Sequence, residues 1–115
     1  MIIIAGEIDF DTAANRDRAV ALSGPLQHAT RREEAGCWAY CFSADPCIDT
    51  RMLVYELWAD EASLADHFEH QNYFNMRAAL GDCGIVAANN KKYRCDLSEP
   101  VYDDTRTPRA DFFTA

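Results

Sequence analysis

The residues best suited to chemistry lie between positions 56 and 72. His67 comes three residues after Leu64 and one before Phe68, which places it on or beside the apolar stripe of a helix. An imidazole with an intrinsic pKa of about 6.5 that faces a hydrophobic cavity could take the proton of a phenolic hydroxyl. His67 is therefore the candidate general base. The alternative interpretation is a packed histidine that bonds only to backbone.

Glu56 and Trp58 lie on one apolar strand close to that histidine in sequence. The run from Met52 to Trp58 is apolar on both faces apart from Glu56, and a carboxylate there must be paired, protonated or next to a cavity. Pairing with an arginine is preferred over a catalytic role. Trp58 could stack on a planar aromatic molecule, although core packing explains it equally well. The aromatic residues that could line the same cavity are Tyr40, Tyr55 and Phe74.

Composition bounds the class of protein. The chain has 115 residues, of which 49% are hydrophobic and 26% charged, with only 5 glycines and 4 prolines, as expected of a compact domain. Its net charge of −8 disfavours nucleic acid and anionic membrane surfaces as partners. The N-terminus has no basic region followed by a long apolar stretch, so we expect a cytoplasmic location.

The cysteines predict neither a disulfide framework nor a metal site. There are five, and an odd number excludes complete intrachain pairing, so we expect thiols. Cys37 and Cys41 point to the same face of a predicted strand, but no further ligands follow at the spacing of a metal site. We therefore expect no bound metal.

The alternation of strand-like and helix-like segments predicts the architecture. Branched and aromatic runs indicate strands, and recurrence at steps of three and four indicates helices. The resulting order, β-α-β-β-α-β, is typical of an α+β ferredoxin-like sandwich. The predicted strands are 2–10, 37–43, 51–58 and an edge strand over 92–97; the predicted helical segments are 12–34, 61–68 and 71–80.

A second copy of the chain is expected to cover the sheet. Two helices cover only one face of a four-stranded sheet, yet the first and third strands are apolar on both faces. A homodimer in which two sheets pack by two-fold symmetry into one α+β barrel solves this problem. The domain would span residues 1–97. Residues 98–115 would form a polar tail outside the sheet, with Phe112 and Phe113 docked on the partner subunit.

Three segments carry a resemblance to a known family: MIIIAGEI, ATRREEAGCWAY and YELWADEASLADHFEHQNYF. Over residues 1–97 the chain resembles the antibiotic biosynthesis monooxygenases, small dimeric α+β-barrel proteins. The resemblance implies oxidation of a small aromatic or quinol-like substrate by dioxygen without a bound cofactor. Other members are isomerases, haem-degrading enzymes or proteins of no known activity.

The resemblance also implies roles for individual residues. Glu56 and Trp58 match the family's Glu-x-Trp, and His67 matches the histidine of the following helix. Asn72 stands where many members have a second histidine, and an amide cannot serve as a base near neutral pH. The implied site therefore has His67 as base and Trp58 as stacking wall, with Glu56 and Asn72 orienting the substrate. Two alternatives stay open: an isomerase acting on a small hydroxy-ketone in the same cavity, and a non-enzymatic ligand-binding dimer.

Overall fold

The computed structural model describes residues 1–114. Four antiparallel strands form one sheet in the order β2-β3-β1-β4, and three helices pack against one of its faces. This arrangement confirms the predicted α+β ferredoxin-like fold, with the second helix divided in two. The elements are β1 (Ile2–Phe10), α1 (Ala13–Glu33), β2 (Cys37–Ala44), β3 (Arg51–Trp58), α2 (Glu61–Glu69), α3 (Gln71–Gly81) and β4 (Ile85–Arg94).

Helix α1 is fixed along the edge strand β2 by two side chains. Gln27 accepts a hydrogen bond from the Phe42 N–H at 3.0 Å and donates one to the Phe42 carbonyl at 2.9 Å. One turn later, Nε of Arg31 donates to the Tyr40 carbonyl at 2.7 Å. Because these bonds satisfy backbone groups of an edge strand, they hold the C-terminal end of α1 beside the strand that carries Tyr40.

Helices α2 and α3 meet at His70. Asp60 begins α2 by accepting a hydrogen bond from the Ser63 N–H at 2.8 Å. His70 begins α3 in the same way, since its Nδ1 accepts from the Asn72 N–H at 3.0 Å. The junction brings the end of α2, with His67, and the first turn of α3, with Asn72, to the C-terminal end of α1.

The last strand differs from its prediction. β4 lies at the sheet edge as expected, but it spans Ile85–Arg94 rather than 92–97, so Leu97 lies outside it. The sequence AANN at 87–90 has low strand propensity. It pairs with β1 because Gly6, opposite Asn90, lets the two strands approach: a Cβ at Gly6 would clash with the Asn89 carbonyl.

The loop between β2 and β3 is held by Arg16. One guanidinium nitrogen, Nη1, donates to the carbonyl oxygens of Asp45, Ile48 and Arg51 at 3.0–3.3 Å. The Nε of the same side chain donates to Asp17 at 2.8 Å. Arg16 is itself buried, and it anchors the whole loop to α1.

Residues 98–114 follow the sheet and fold on themselves. Tyr102 pairs with Pro108, and the Glu99 carboxylate accepts hydrogen bonds from Phe113 and Thr114. Within the described chain, the hydrogen bonds of this segment all join two of its own residues. Within residues 1–114, no helix has the length and apolar character needed to cross a membrane.

Candidate active site

A cavity of about 400 Å³ lies between α3 and the helix-covered face of the sheet. Its walls are mainly apolar, with polar groups contributed by strands, by α2 and by α3. This combination suits a small, largely apolar ligand that is oriented by a few polar contacts. The lining residues are Ile8, Tyr40, Phe42, Val54, Glu56, His67, Phe68, Tyr73, Met76, Arg77, Leu80, Ile85, Ala88 and Asn90.

His67 and Glu34 form a buried dyad at this cavity. The distance from Nδ1 of His67 to Oε1 of Glu34 is 2.8 Å, and the two side chains are 2% and 8% exposed. A carboxylate only accepts hydrogen bonds, so the neutral ring must carry its proton on Nδ1. Nε2 is then the nitrogen available to a molecule in the cavity. Among the described residues it has no hydrogen-bond partner.

The surroundings of His67 favour its neutral form. Burial lowers the pKa of His67 below its ordinary value, and the hydrogen bond and charge of Glu34 oppose that effect without reversing it. A neutral imidazole can accept a proton at neutral pH. Once protonated, the ring is stabilised by the adjacent carboxylate, an arrangement typical of a histidine base oriented by a third group.

Glu56 is bonded to Trp58 rather than to an arginine. The Trp58 Nε1 donates to Oε1 of Glu56 at 2.9 Å, so the predicted pairing with an arginine is wrong. Burial raises the pKa of Glu56 to about 7, the Trp58 hydrogen bond lowers it, and the charge of Glu34 raises it further. Glu56 is therefore a second group at the cavity that exchanges a proton near neutrality.

Trp58 packs against the ring of His67. Its side chain is 1% exposed, and its ring centroid lies 4.4 Å from that of His67 at an angle of 36°. Since it is not among the residues that line the cavity, it contacts the base rather than forming the predicted stacking wall. Tyr40 lines the cavity and meets the His67 ring edge-on at 5.5 Å. Burial is the main cause of the raised pKa of Tyr40.

Three predicted substrate contacts lie away from the cavity. Tyr55 is 43% exposed and points to the opposite face of the sheet, because neighbouring strand residues alternate and Glu56 faces the helices. Phe74 is 44% exposed on the outside of α3. Asn72 is buried, but its amide donates to Glu33 and Glu34 rather than into the cavity. The structure therefore corrects the prediction that these three side chains contact a molecule in the cavity.

Glu34, Arg77 and Asn90 belong to the site but were not predicted from the sequence. Glu33 and Glu34 lie at the C-terminal end of α1, where the helix dipole disfavours carboxylates. This unfavourable position is the sequence signal that could have identified Glu34 as a functional residue. Arg77 lines the cavity from α3 and makes no salt bridge within residues 1–114. Asn90 was missed because β4 was predicted to begin later.

A second cavity adjoins the dyad. It has a volume of about 290 Å³, and its lining includes Glu33, Glu34, Trp58, Asp66 and His70. His67 lines only the larger cavity, whereas Glu34 lines only the smaller one. The hydrogen bond between these two side chains thus joins the two cavities.

The described residues offer no metal centre. Across positions 1–114, no three histidine, cysteine, aspartate or glutamate side chains are grouped so that they could hold a metal ion. The five cysteines are free thiols. Cys37 lies near the dyad, and burial together with the charges of Glu34 and Glu56 raises the pKa of this thiol to about 11. A thiol with that pKa is a poor nucleophile at neutral pH.

The family model for antibiotic biosynthesis monooxygenase matches residues 1–79, a region that contains Glu34, Glu56, His67 and Asn72. The chain belongs to the antibiotic biosynthesis monooxygenase family. This confirms the resemblance identified in the sequence. No curated protein sequence matches the chain.

Solved structures of the same fold include two proposed antibiotic biosynthesis monooxygenases. The protein from Deinococcus radiodurans has a TM-score of 0.78 at 20% identity, covering 90% of this chain and 100% of that one. The protein from Caulobacter crescentus has a TM-score of 0.74 at 19% identity, covering 85% and 90%. A protein of Mycobacterium tuberculosis reaches 0.69 at 19% identity, covering 86% and 98%. At these identities the likeness concerns the fold.

Proposed function

We propose that this antibiotic biosynthesis monooxygenase family member oxidises a small aromatic or quinol-like molecule with dioxygen and without a bound cofactor. The observation that carries the proposal is the Glu34–His67 dyad, 2.8 Å between Nδ1 and Oε1, at a mainly apolar cavity of about 400 Å³. Oxygen reacts slowly with closed-shell molecules, but a deprotonated quinol gives up an electron readily. A base in a water-poor pocket is the group that this chemistry requires.

His67, oriented by Glu34, supplies the proton transfers that this reaction needs. Nε2 of His67 takes the substrate hydroxyl proton, and Glu34 stabilises the resulting imidazolium. The substrate anion transfers an electron to dioxygen, and a carbon–oxygen bond forms at a ring carbon. His67 returns its proton to the peroxide. The O–O bond then breaks while the ring carbon gives up its hydrogen as a proton, so that water leaves and a carbonyl remains on that carbon. One oxygen atom enters the product and the other leaves as water, and the substrate supplies all the electrons.

Glu56 supports a second candidate, an isomerase acting on a small hydroxy-ketone. Such a reaction moves a proton between two carbons and benefits from two proton-transferring groups on one cavity. Glu56, with its pKa of about 7, and His67 both line the cavity. The two reactions differ in oxygen consumption. The isomerase needs none.

Oxygen uptake with a panel of quinols and polyphenols, in buffer free of flavin, haem and metal, tests the proposal. We expect the protein to accelerate uptake with at least one compound and to incorporate one atom from labelled dioxygen. His67→Ala is expected to lower the rate about a hundredfold, the usual contribution of a general base. His28→Ala, on the exposed surface of α1, is the matched control. A rate unaffected by His67→Ala would contradict the role of His67, and turnover without oxygen would favour the isomerase.

We also propose that the functional unit is a homodimer. The face of the sheet opposite the helices presents apolar side chains, and Leu53 and Tyr55 on β3 are 39% and 43% exposed in the single chain. Packing this face against a second copy would remove that apolar surface from water. Residues 98–115 would extend from the domain to the partner subunit, with Phe112 and Phe113 as contacts.

A further inference from the structure

The two oxygens of Glu34 have different partners. Oε1 lies 2.8 Å from Nδ1 of His67, and Oε2 accepts a hydrogen bond from Nδ2 of Asn72 at 3.2 Å. Asn72 is 7% exposed, so both partners of Glu34 are buried. The carboxylate is thus held from both ends, by the histidine on one side and by the asparagine on the other.

Asn72 also binds the neighbouring carboxylate. Its Nδ2 donates to Oε2 of Glu33 at 3.0 Å, so a single amide nitrogen bridges two consecutive glutamates. The orientation of the amide is fixed by chemistry, because two carboxylates can accept hydrogen bonds but cannot donate them. Without this donor, two like charges at the C-terminal end of α1 would repel each other and turn towards solvent.

We propose that Asn72 is a positioning residue that acts on His67 through Glu34. By holding Glu34 in place, Asn72 keeps the His67 proton on Nδ1 and leaves the Nε2 lone pair directed to the cavity. The proposal rests on the proposed function of His67 as the base. Asn72 does not line the larger cavity, so it acts without touching the substrate.

The tautomer of His67 is the readout that separates positioning from a merely structural role. Nitrogen-15 chemical shifts of the imidazole distinguish Nδ1–H from Nε2–H in the neutral ring. In the natural protein at about pH 8 we expect the Nδ1–H form. In Asn72→Ala, Glu34 loses one of its two buried partners, and we expect Nε2–H to become the major form.

Matched variants make the experiment specific. Asn75→Ala removes an exposed amide from the same helix, one that accepts only from Gln71, and should leave the Nδ1–H form unchanged. Leucine is similar in size to asparagine but has no hydrogen-bond donor. If Asn72→Ala does not fold, Asn72→Leu replaces it, and we again expect Nε2–H to become the major form of His67. Asn72→His keeps an N–H donor at this position and should restore the Nδ1–H form.

Activity gives a second, separate measurement. With a quinol that the natural protein oxidises, Asn72→Ala should lower kcat about tenfold, the lower end of the losses measured when the hydrogen-bond partners of metal-ligating histidines are removed, and leave KM unchanged. An unchanged tautomer in both Asn72→Ala and Asn72→Leu would overturn the positioning role. If the tautomer changes as expected while no quinol is oxidised, the positioning role stands and the proposed reaction fails.

Discussion

Replacing Glu56 by glutamine should change how the free energy of unfolding depends on pH. Glu56 is 7% exposed, and burial raises its pKa from 4.5 to about 7 in the folded chain. Between these pH values the folded protein keeps a proton that the unfolded chain has released. The resulting stability is full below pH 4.5 and is lost as the pH rises through 7.

The size of the effect follows from the two pKa values. The difference between 4.5 and 7 is about 2.5 pH units, and each unit corresponds to ~1.4 kcal/mol. The natural protein should therefore lose about 3 kcal/mol through Glu56 on going from pH 4 to pH 8. Glutamine stays neutral over this range, and its carbonyl oxygen can still accept the hydrogen bond from Trp58.

Urea unfolding, followed by tryptophan fluorescence at one protein concentration and several pH values, measures the effect. Comparing Glu56→Gln with the natural protein isolates Glu56, because His67 is common to both. The lowered pKa of His67 acts in the opposite direction, so the contribution of His67 to the free energy of unfolding is lost as the pH falls below 6.5. Parallel stability curves for the two proteins would refute the reasoning. Glu69→Gln, at an exposed position, should give parallel curves.

The remaining predictions concern the loop, the dimer and the tail. Arg16→Gln should lower the free energy of unfolding by about 2–3 kcal/mol, because a charged donor to three carbonyls is lost. Arg18→Gln removes one exposed contact and should lower it less. Equal losses in the two variants would contradict the anchoring role of Arg16. Light scattering should give twice 13.0 kDa, and a stable folded monomer at micromolar concentration would contradict the shared barrel. Deleting residues 105–115 should preserve the fold but weaken the dimer. An unchanged dissociation constant would remove the tail from the interface.

The parts of the fold predicted correctly have strong local signals. Branched residues over 2–10 form β1, and the side chains of Thr12 and Asp60 cap α1 and α2; each of these signals acts over only a few residues. β4 lacks such a signal. Its pairing depends on the close approach that Gly6 allows from the far end of the chain, and propensity at 87–90 does not contain that information.

The residues of the candidate site also differ in whether a local sequence signal identifies them. Tyr40 and Glu56 face the helices in the structure, and alternation along the strand puts Tyr55, the neighbour of Glu56, on the opposite face, a signal that argues against Tyr55 as a cavity residue. Phe74 lies beside, rather than on, the helical stripe that packs inwards. Glu34 could not be paired with His67 from sequence, because the contact joins residues 33 positions apart through the packing of two helix ends.

The way in which Arg16 holds the β2–β3 loop makes that loop a natural place for engineering. Within the loop the guanidinium contacts only main-chain oxygens, those of Asp45, Ile48 and Arg51. The Asp45 carboxylate adds hydrogen bonds from the main-chain N–H groups of Cys47 and Ile48, so the side chains of Cys47 and Asp49 take no part in holding the loop. Substitutions at Cys47 and Asp49, which are exposed, should leave the anchor intact. With the other four cysteines replaced, a fluorescent label on Cys47 would therefore sit on an anchored loop without entering the cavity that holds His67.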